Sequence, residues 1–202
     1  MTRLLVATSN PDKLREIRTV LADLDVEILT LDDLPPVEEP EETGATFREN
    51  AQLKALYYGR LTPHLTVAED SGLVIDALDG EPGVRSARFL RPDASYPERF
   101  AEIYRRLALH PGRPRTARFI CALAAARDGC LVFETEGTID GEIVEPPRGQ
   151  GGFGYDPIFY HPPSGRTLAE LGERAKAGVS HRGRAFQQFA AWLHAQESRT
   201  ET

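Results

Sequence analysis

The chain has 202 residues, with 24 Lys or Arg against 31 Asp or Glu and a formal net charge of −7. Its length allows one substantial core, and hydrophobic and charged fractions of 41% and 27% exclude a disordered or fibrous chain. The acidic balance opposes nucleic acid or an anionic membrane as partner, since both require a basic face, but a small anion can still be bound where positive charge is gathered locally.

The first 13 residues hold only a short apolar run, Leu4 to Ala7, unlike a secretory signal, and no stretch is long enough to span a membrane. A cytoplasmic protein is expected. Arg3 to Thr8 reads as a buried strand. Pro11 to Leu24, with apolar Leu14, Ile17, Val20, Leu21 and Leu24, reads as an amphipathic helix capped by Asn10. Val26 to Leu31 predicts a second strand. Asp32 to Gly44, with three prolines and six acidic residues, predicts a loop. Thr46 and Glu49 form a capping-box pattern opening a helix to Leu61.

Leu65 to Glu69 and Gly72 to Ala77 read as two strands, which puts Asp70 and Ser71 at a strand end or bend. Asp79 to Gly83 is a turn, and Tyr96 to Leu109 a helix. Thr116 to Ala126 and Leu131 to Ile139 predict an antiparallel hairpin about Asp128-Gly129. In that register, with Arg127 opposite Cys130, Cys121 faces Glu136, so the two cysteines are expected to be unbridged, reduced core thiols. Glu145 to Gly154 is loop, Pro157 to Tyr160 a short extended piece, and Ser180 to Ala195 a closing helix. Residues 1–196 are expected to form a single domain, followed by a polar tail at 197–202. The βα and hairpin units together imply a mixed sheet with helices packed on it.

Four segments carry residues suited to chemistry. Thr8-Ser9-Asn10-Pro11-Asp12-Lys13 brings hydroxyls, an amide and an ammonium to a helix N-terminus, a setting that favours phosphate, although an ordinary cap has the same composition. Glu69-Asp70 sets two carboxylates on opposite faces of a strand, able to hold a divalent cation or activate water, although a solvated turn would read the same way. Gly151 to Pro157 places Phe153 and Tyr155 among glycines and ends in Asp156, so a ring there can stack on a base or simply pack. Lys176 to Arg184 gathers Lys176, Ser180, His181 and Arg182 as donors to an anion or a carbonyl oxygen. Only three of the 24 basic residues are lysine, Lys13, Lys54 and Lys176, which hints at positions needing a compact ammonium.

Five blocks, in order from Leu5 to about Phe189, resemble the inosine triphosphate pyrophosphatase family, the Ham1-like pyrophosphatases of non-canonical purine nucleoside triphosphates. They are Val6 to Ile17, Glu41 to Ala55, Ala68 to Phe89, Gly151 to Phe159, and Ser180 to Ala185. The resemblance implies an α/β fold: a mixed, partly antiparallel, elongated sheet flanked by helices, in two lobes with an active-site cleft between them. It implies hydrolysis of ITP, dITP, XTP and dXTP to the monophosphate and pyrophosphate, with Mg2+ as cofactor and a homodimeric assembly. Asp70 resembles the family's proton acceptor and metal ligand, and Glu41 a second metal ligand. Thr8 to Lys13 resembles the triphosphate turn. Ser71, Phe153, Gly154, Tyr155, Asp156, Lys176, His181 and Arg182 match substrate positions, and Lys54 lies near the phosphates. Glu69 stands as a possible partner to Asp70 in orienting water. Ser9 where many members have glycine, and Glu69 where many have aspartate, are mild departures. A pyrophosphatase for modified pyrimidines and a non-catalytic nucleotide-binding module are the alternatives.

Overall fold

The computed structural model describes residues 2–200, with side chains described as far as residue 196. One seven-stranded sheet runs through the molecule in the order β2-β1-β3-β4-β5-β6-β7. Strands β1 (Thr2–Val6), β2 (Val26–Leu29) and β3 (Leu65–Ile75) are parallel, whereas β4 (Thr116–Arg127), β5 (Cys130–Ile143), β6 (Phe159–His161) and β7 (Arg166–Thr167) continue antiparallel. This is the expected mixed α/β sheet.

Helices α1 (Pro11–Val20), α2 (Phe47–Gly59), α3 (Tyr96–Ala108), α4 (Glu173–Val179) and α5 (His181–Thr200) flank it. Asn10 caps α1 by accepting from the N–H groups of Asp12 and Lys13, and the Thr46–Glu49 capping box opens α2 as its spacing predicts. The short α4 was not legible in the sequence. The helix α5 runs on to Thr200, so the first four residues of the expected tail continue the helix, and 201–202 lie outside the described residues.

Three apolar clusters explain the two lobes. Leu5, Ala51, Ala55 and Ala124 pack α2 on one face of the sheet, while Ile17, Leu21, Phe186 and Phe189 pack α1 and α5 on the other. Further along the same strands, Leu73, Ile75, Phe119 and Ile139 join Ile103 and Leu107 of α3 in the second lobe. The long strands β3, β4 and β5 therefore serve both lobes. Close approach of α5 depends on Gly137, where a Cβ would collide with the backbone of His181 and Ala185.

Two local expectations are corrected. The segment read as two strands is a single 11-residue strand, β3, buried from both sides, so Asp70 and Ser71 lie mid-strand rather than at an end. Their polarity mimics a break because that part of the strand serves the cleft rather than a core. In the hairpin, Arg127 does face Cys130, but a register shift at Ala125/Ala126 sets Cys121 opposite Gly137 instead of Glu136. Both cysteines are free, as expected, yet only Cys121 is buried; Cys130 sits exposed beside the hairpin turn.

Candidate active site

Alternation along β3 sends its adjacent carboxylates to opposite faces, and the consequences differ sharply. Asp70 faces α2 and the cleft between the lobes. Its Oδ2 accepts from Asn50 Nδ2 at 3.0 Å, and Lys54 Nζ lies 3.6 Å from Oδ1. Burial raises the Asp70 carboxyl above its ordinary pKa; Lys54 opposes this and the nearby Glu42 charge reinforces it. Glu69 faces the other way and lines no part of the cleft. Its Oε1 takes Lys13 Nζ at 3.1 Å and Arg182 Nε at 3.0 Å, and Cys121 Sγ lies 3.6 Å from Oε2. Burial alone would raise Glu69, but Arg182, Lys13 and Lys54 pull it well below the carboxylate range. Glu69 is thus a buried anchor for two cations, set on the opposite face of β3 from Asp70.

The acidic loop places its two neighbouring glutamates differently. Glu41 is exposed and does not line the cleft, whereas Glu42 does. Glu42 Oε1 takes Lys54 Nζ at 2.6 Å, and Arg88 Nη1 lies 3.4 Å from Oε2. Burial would raise Glu42, but Lys54, Lys13 and Arg88 bring it below its ordinary value. The same charges keep Lys54 protonated, with Asp70 and Glu42 outweighing its burial.

Within Thr8 to Lys13, the residues Thr8, Ser9, Asn10 and Lys13 line the cleft, while Pro11 and Asp12 do not. Asp12 instead pairs with Arg15 at 2.9 Å. Thr8 Oγ1 accepts from Asn10 N, and Asn10 Oδ1 from the N–H groups of Asp12 and Lys13, so these donors are already satisfied. What the turn offers a phosphate is hydroxyls and an ammonium more than free helix N–H groups.

The far end of the cleft is a closed ion network. Lys176 pairs with Asp156 and with Glu16 Oε1, the latter at 2.5 Å, and Arg182 Nη1 reaches Glu16 Oε2 at 2.5 Å. Arg182 Nη2 donates to Ser71 Oγ at 2.9 Å. Asp156 Oδ2 also accepts from Phe153 N at 2.8 Å. That tight turn needs Gly152, which has φ of +66° and where a Cβ would strike the Asp156 carboxylate. Lys176 Nζ and Arg182 Cζ lie 4.9 and 5.4 Å from the Phe153 ring centroid. His181 stacks on Phe119 at 4.7 Å, and its Nδ1 is buried without a partner. Burial first, then the Arg182 charge, holds His181 well below its ordinary pKa and hence neutral, with one N–H and one lone pair. Tyr155 is packed edge-on to Tyr96 at 5.3 Å, and its hydroxyl donates to Ser86 O.

All three lysines line this one cleft. Lys13, Lys54, Arg88, Lys176 and Arg182 there outnumber Glu39, Glu42, Asp70 and Asp156 in a chain of net charge −7, so positive charge is gathered locally. Sequence reasoning missed Glu16, Glu42, Asn50, Arg88 and Phe119. For Glu16 a signal existed: it lies one turn from Lys13 on α1, next to buried Ile17, where a carboxylate needs a partner. Asn50 lies in the Glu41 to Ala55 block of the resemblance, but nothing in its helix pattern set it apart as a partner of Asp70.

Fold and cleft together define an α/β protein built to take a small anionic ligand. The chain belongs to the Ham1 family, whose sequence model matches residues 4–192. It is 48% identical over 186 residues to a dITP/XTP pyrophosphatase of Geobacter sulfurreducens, covering 92% of this chain and 94% of that protein. A dITP/XTP pyrophosphatase of Geobacillus kaustophilus is 46% identical over the same length, covering 92% and 91%. Among solved structures, a HAM1 protein from Coxiella burnetii superposes with a TM-score of 0.86 at 38% identity, covering 96% of this chain and all of that one.

Proposed function

We propose that this protein hydrolyses non-canonical purine nucleoside triphosphates, ITP, dITP, XTP and dXTP, to the monophosphate and pyrophosphate. The observation that carries the reading is Asp70: a buried carboxylate of raised pKa, open to a cation-lined cleft and oriented by Asn50. The curated relatives named dITP/XTP pyrophosphatase support the substrate class. Magnesium is the proposed cofactor. Among the described residues no group of three or more His, Cys, Asp or Glu could hold a metal. Asp70 and Glu42, with Lys54 Nζ between them, nevertheless form an oxygen-only donor pair already occupied by a cationic group, which fits a hard ion that keeps its remaining positions for water and phosphate. The chemistry a divalent ion supplies there is neutralisation of phosphate charge.

The side chains divide the remaining work. Asp70 orients water toward the α-phosphorus and takes its proton, a task its raised pKa suits. Lys13, held by Glu69, and Lys54, held by Glu42, stabilise the departing pyrophosphate. Thr8, Ser9, Asn10 and Ser71 bind phosphate and sugar oxygens, with Gly154 allowing close approach. Phe153 stacks on the base. A 6-oxo group accepts from His181 or Arg182; adenine's amino group there would leave buried donors unpaired, at ~1–3 kcal/mol each. Homodimeric assembly and a cytoplasmic location belong to the same reading on the family resemblance; no helix among the described residues is long and apolar enough to cross a membrane. The test is pyrophosphate release from ITP, dITP, XTP, ATP, GTP and modified pyrimidine triphosphates with Mg2+. Selective release from the deaminated purines is expected; equal rates on all would remove the substrate assignment, and orthophosphate release would remove the cleavage site.

A further inference from the structure

Arg88, at the mouth of the cleft, has no part in the reading above. Its short 3-10 segment, Gly83–Arg88, is fixed from beneath by a buried serine. Ser86 Oγ accepts from Leu73 N at 2.9 Å and donates to Gly83 O at 2.6 Å; Ser86 O accepts from Tyr155 Oη at 2.9 Å and Arg99 Nη1 at 3.3 Å. The backbone carrying Arg88 is thus anchored to β3, to α3 and to the Tyr155 loop, while its side chain is 45% exposed.

The guanidinium's contact with Glu42 is weak. At 3.4 Å from Glu42 Oε2 it is longer than a good charge-assisted hydrogen bond, and one contact engages little of a five-donor fork. The other oxygen of Glu42 holds Lys54, which in turn lies 3.6 Å from Asp70 Oδ1. One carboxylate therefore holds two cations beside the reacting end of the cleft. A phosphate group, larger and more highly charged, can take both.

We propose that Arg88 is a substrate-binding residue that grips the pyrophosphate portion of the triphosphate, and that Glu42 holds it and Lys54 in readiness until that anion arrives. This rests on the pyrophosphate-releasing reading. A guanidinium can clamp two phosphate oxygens with a fixed planar fork, a geometry that a lysine's compact ammonium lacks.

Calorimetric titration of the full chain with magnesium pyrophosphate, and separately with inosine monophosphate, tests it in wild type, Arg88→Gln and Arg88→Lys. Arg88→Gln is expected to weaken pyrophosphate binding about tenfold, ~1.4 kcal/mol, and to leave monophosphate binding unchanged. Arg88→Lys should recover part of the loss, since it keeps the charge and lacks the fork. A merely structural role would move both ligands together or neither. Equal pyrophosphate affinity in wild type and Arg88→Gln, or parallel loss for both ligands, overturns the proposal. Wild type that binds neither pyrophosphate nor monophosphate would instead overturn the parent reading, which the turnover assay tests separately.

Discussion

The two ends of the cleft are built from the same residue types in opposite ways. At the Phe153 end, Glu16, Asp156, Lys176, Arg182 and Glu69 form a continuous network whose carboxylates each hold a cation within 3.0 Å, and the Lys176 and Arg182 side chains are no more than 6% exposed. At the Asp70 end, the ammonium and guanidinium lie 3.4–3.6 Å from two of their three carboxylate contacts, and Arg88 and Glu42 are open to solvent. A closed network fixes a shape, which suits discrimination between bases. A loose one leaves charges to be recruited, which suits phosphates that arrive and depart.

That contrast can be broken most forcefully at Asp70. Asp70→Asn should cut turnover by about 10²–10⁴-fold, as expected for loss of a general base. Because the folded protein disfavours the charged form of this carboxyl, the same change should raise the melting temperature at neutral pH. Retained turnover would take Asp70 out of the reaction, and a lowered melting temperature would place the strain elsewhere.

The opposite outcome is expected at the closed end. Glu16→Gln leaves Lys176 and Arg182 short of a buried counter-charge, at a cost of about 3–5 kcal/mol. Thermal unfolding at pH 7 should therefore occur roughly 10 °C lower, at ~2–4 °C per kcal/mol for a chain of this size. Burial would raise Glu16, but Arg182 and Lys176 lower it below its ordinary value. The stability it contributes is thus complete above the unfolded carboxylate pKa and is lost as pH falls through the lowered folded value. Melting curves from pH 7 down to about 3 should show a shallower acid decline in Glu16→Gln than in wild type; parallel declines would show that the network does not titrate as described.

Phe153→Leu is the mildest probe. The ring loses its contacts to Lys176 and Arg182 and its stacking face, about 1 kcal/mol in all. A rise of several-fold in KM with kcat nearly constant is expected; a change confined to kcat would mean that the ring does not bind ground-state substrate.

The sequence shows the frame more fully than the site. Periodicity located α1, α2, α3 and the β4-β5 hairpin because apolar spacing and turn residues act locally. It split β3 at Asp70 because polar residues inside a strand look like its end, when here they are paid for by long-range partners on α2 and α5. The hairpin register slipped by one residue because the bulge at Ala125/Ala126 leaves no mark on composition. Neighbouring glutamates 41 and 42 look alike in a proline-rich loop, and only the loop's path shows that Glu42 rather than Glu41 lines the cleft. The lysines were informative for the opposite reason: they are rare in this chain, and all three converge.

The most direct test of the account is a stoichiometric one. With Mg2+ and dITP as substrate, the products should be one deoxyinosine monophosphate and one pyrophosphate per turnover, at a rate far above that with dATP or dGTP. Release of orthophosphate, or dATP and dGTP consumed as fast as dITP, would contradict it.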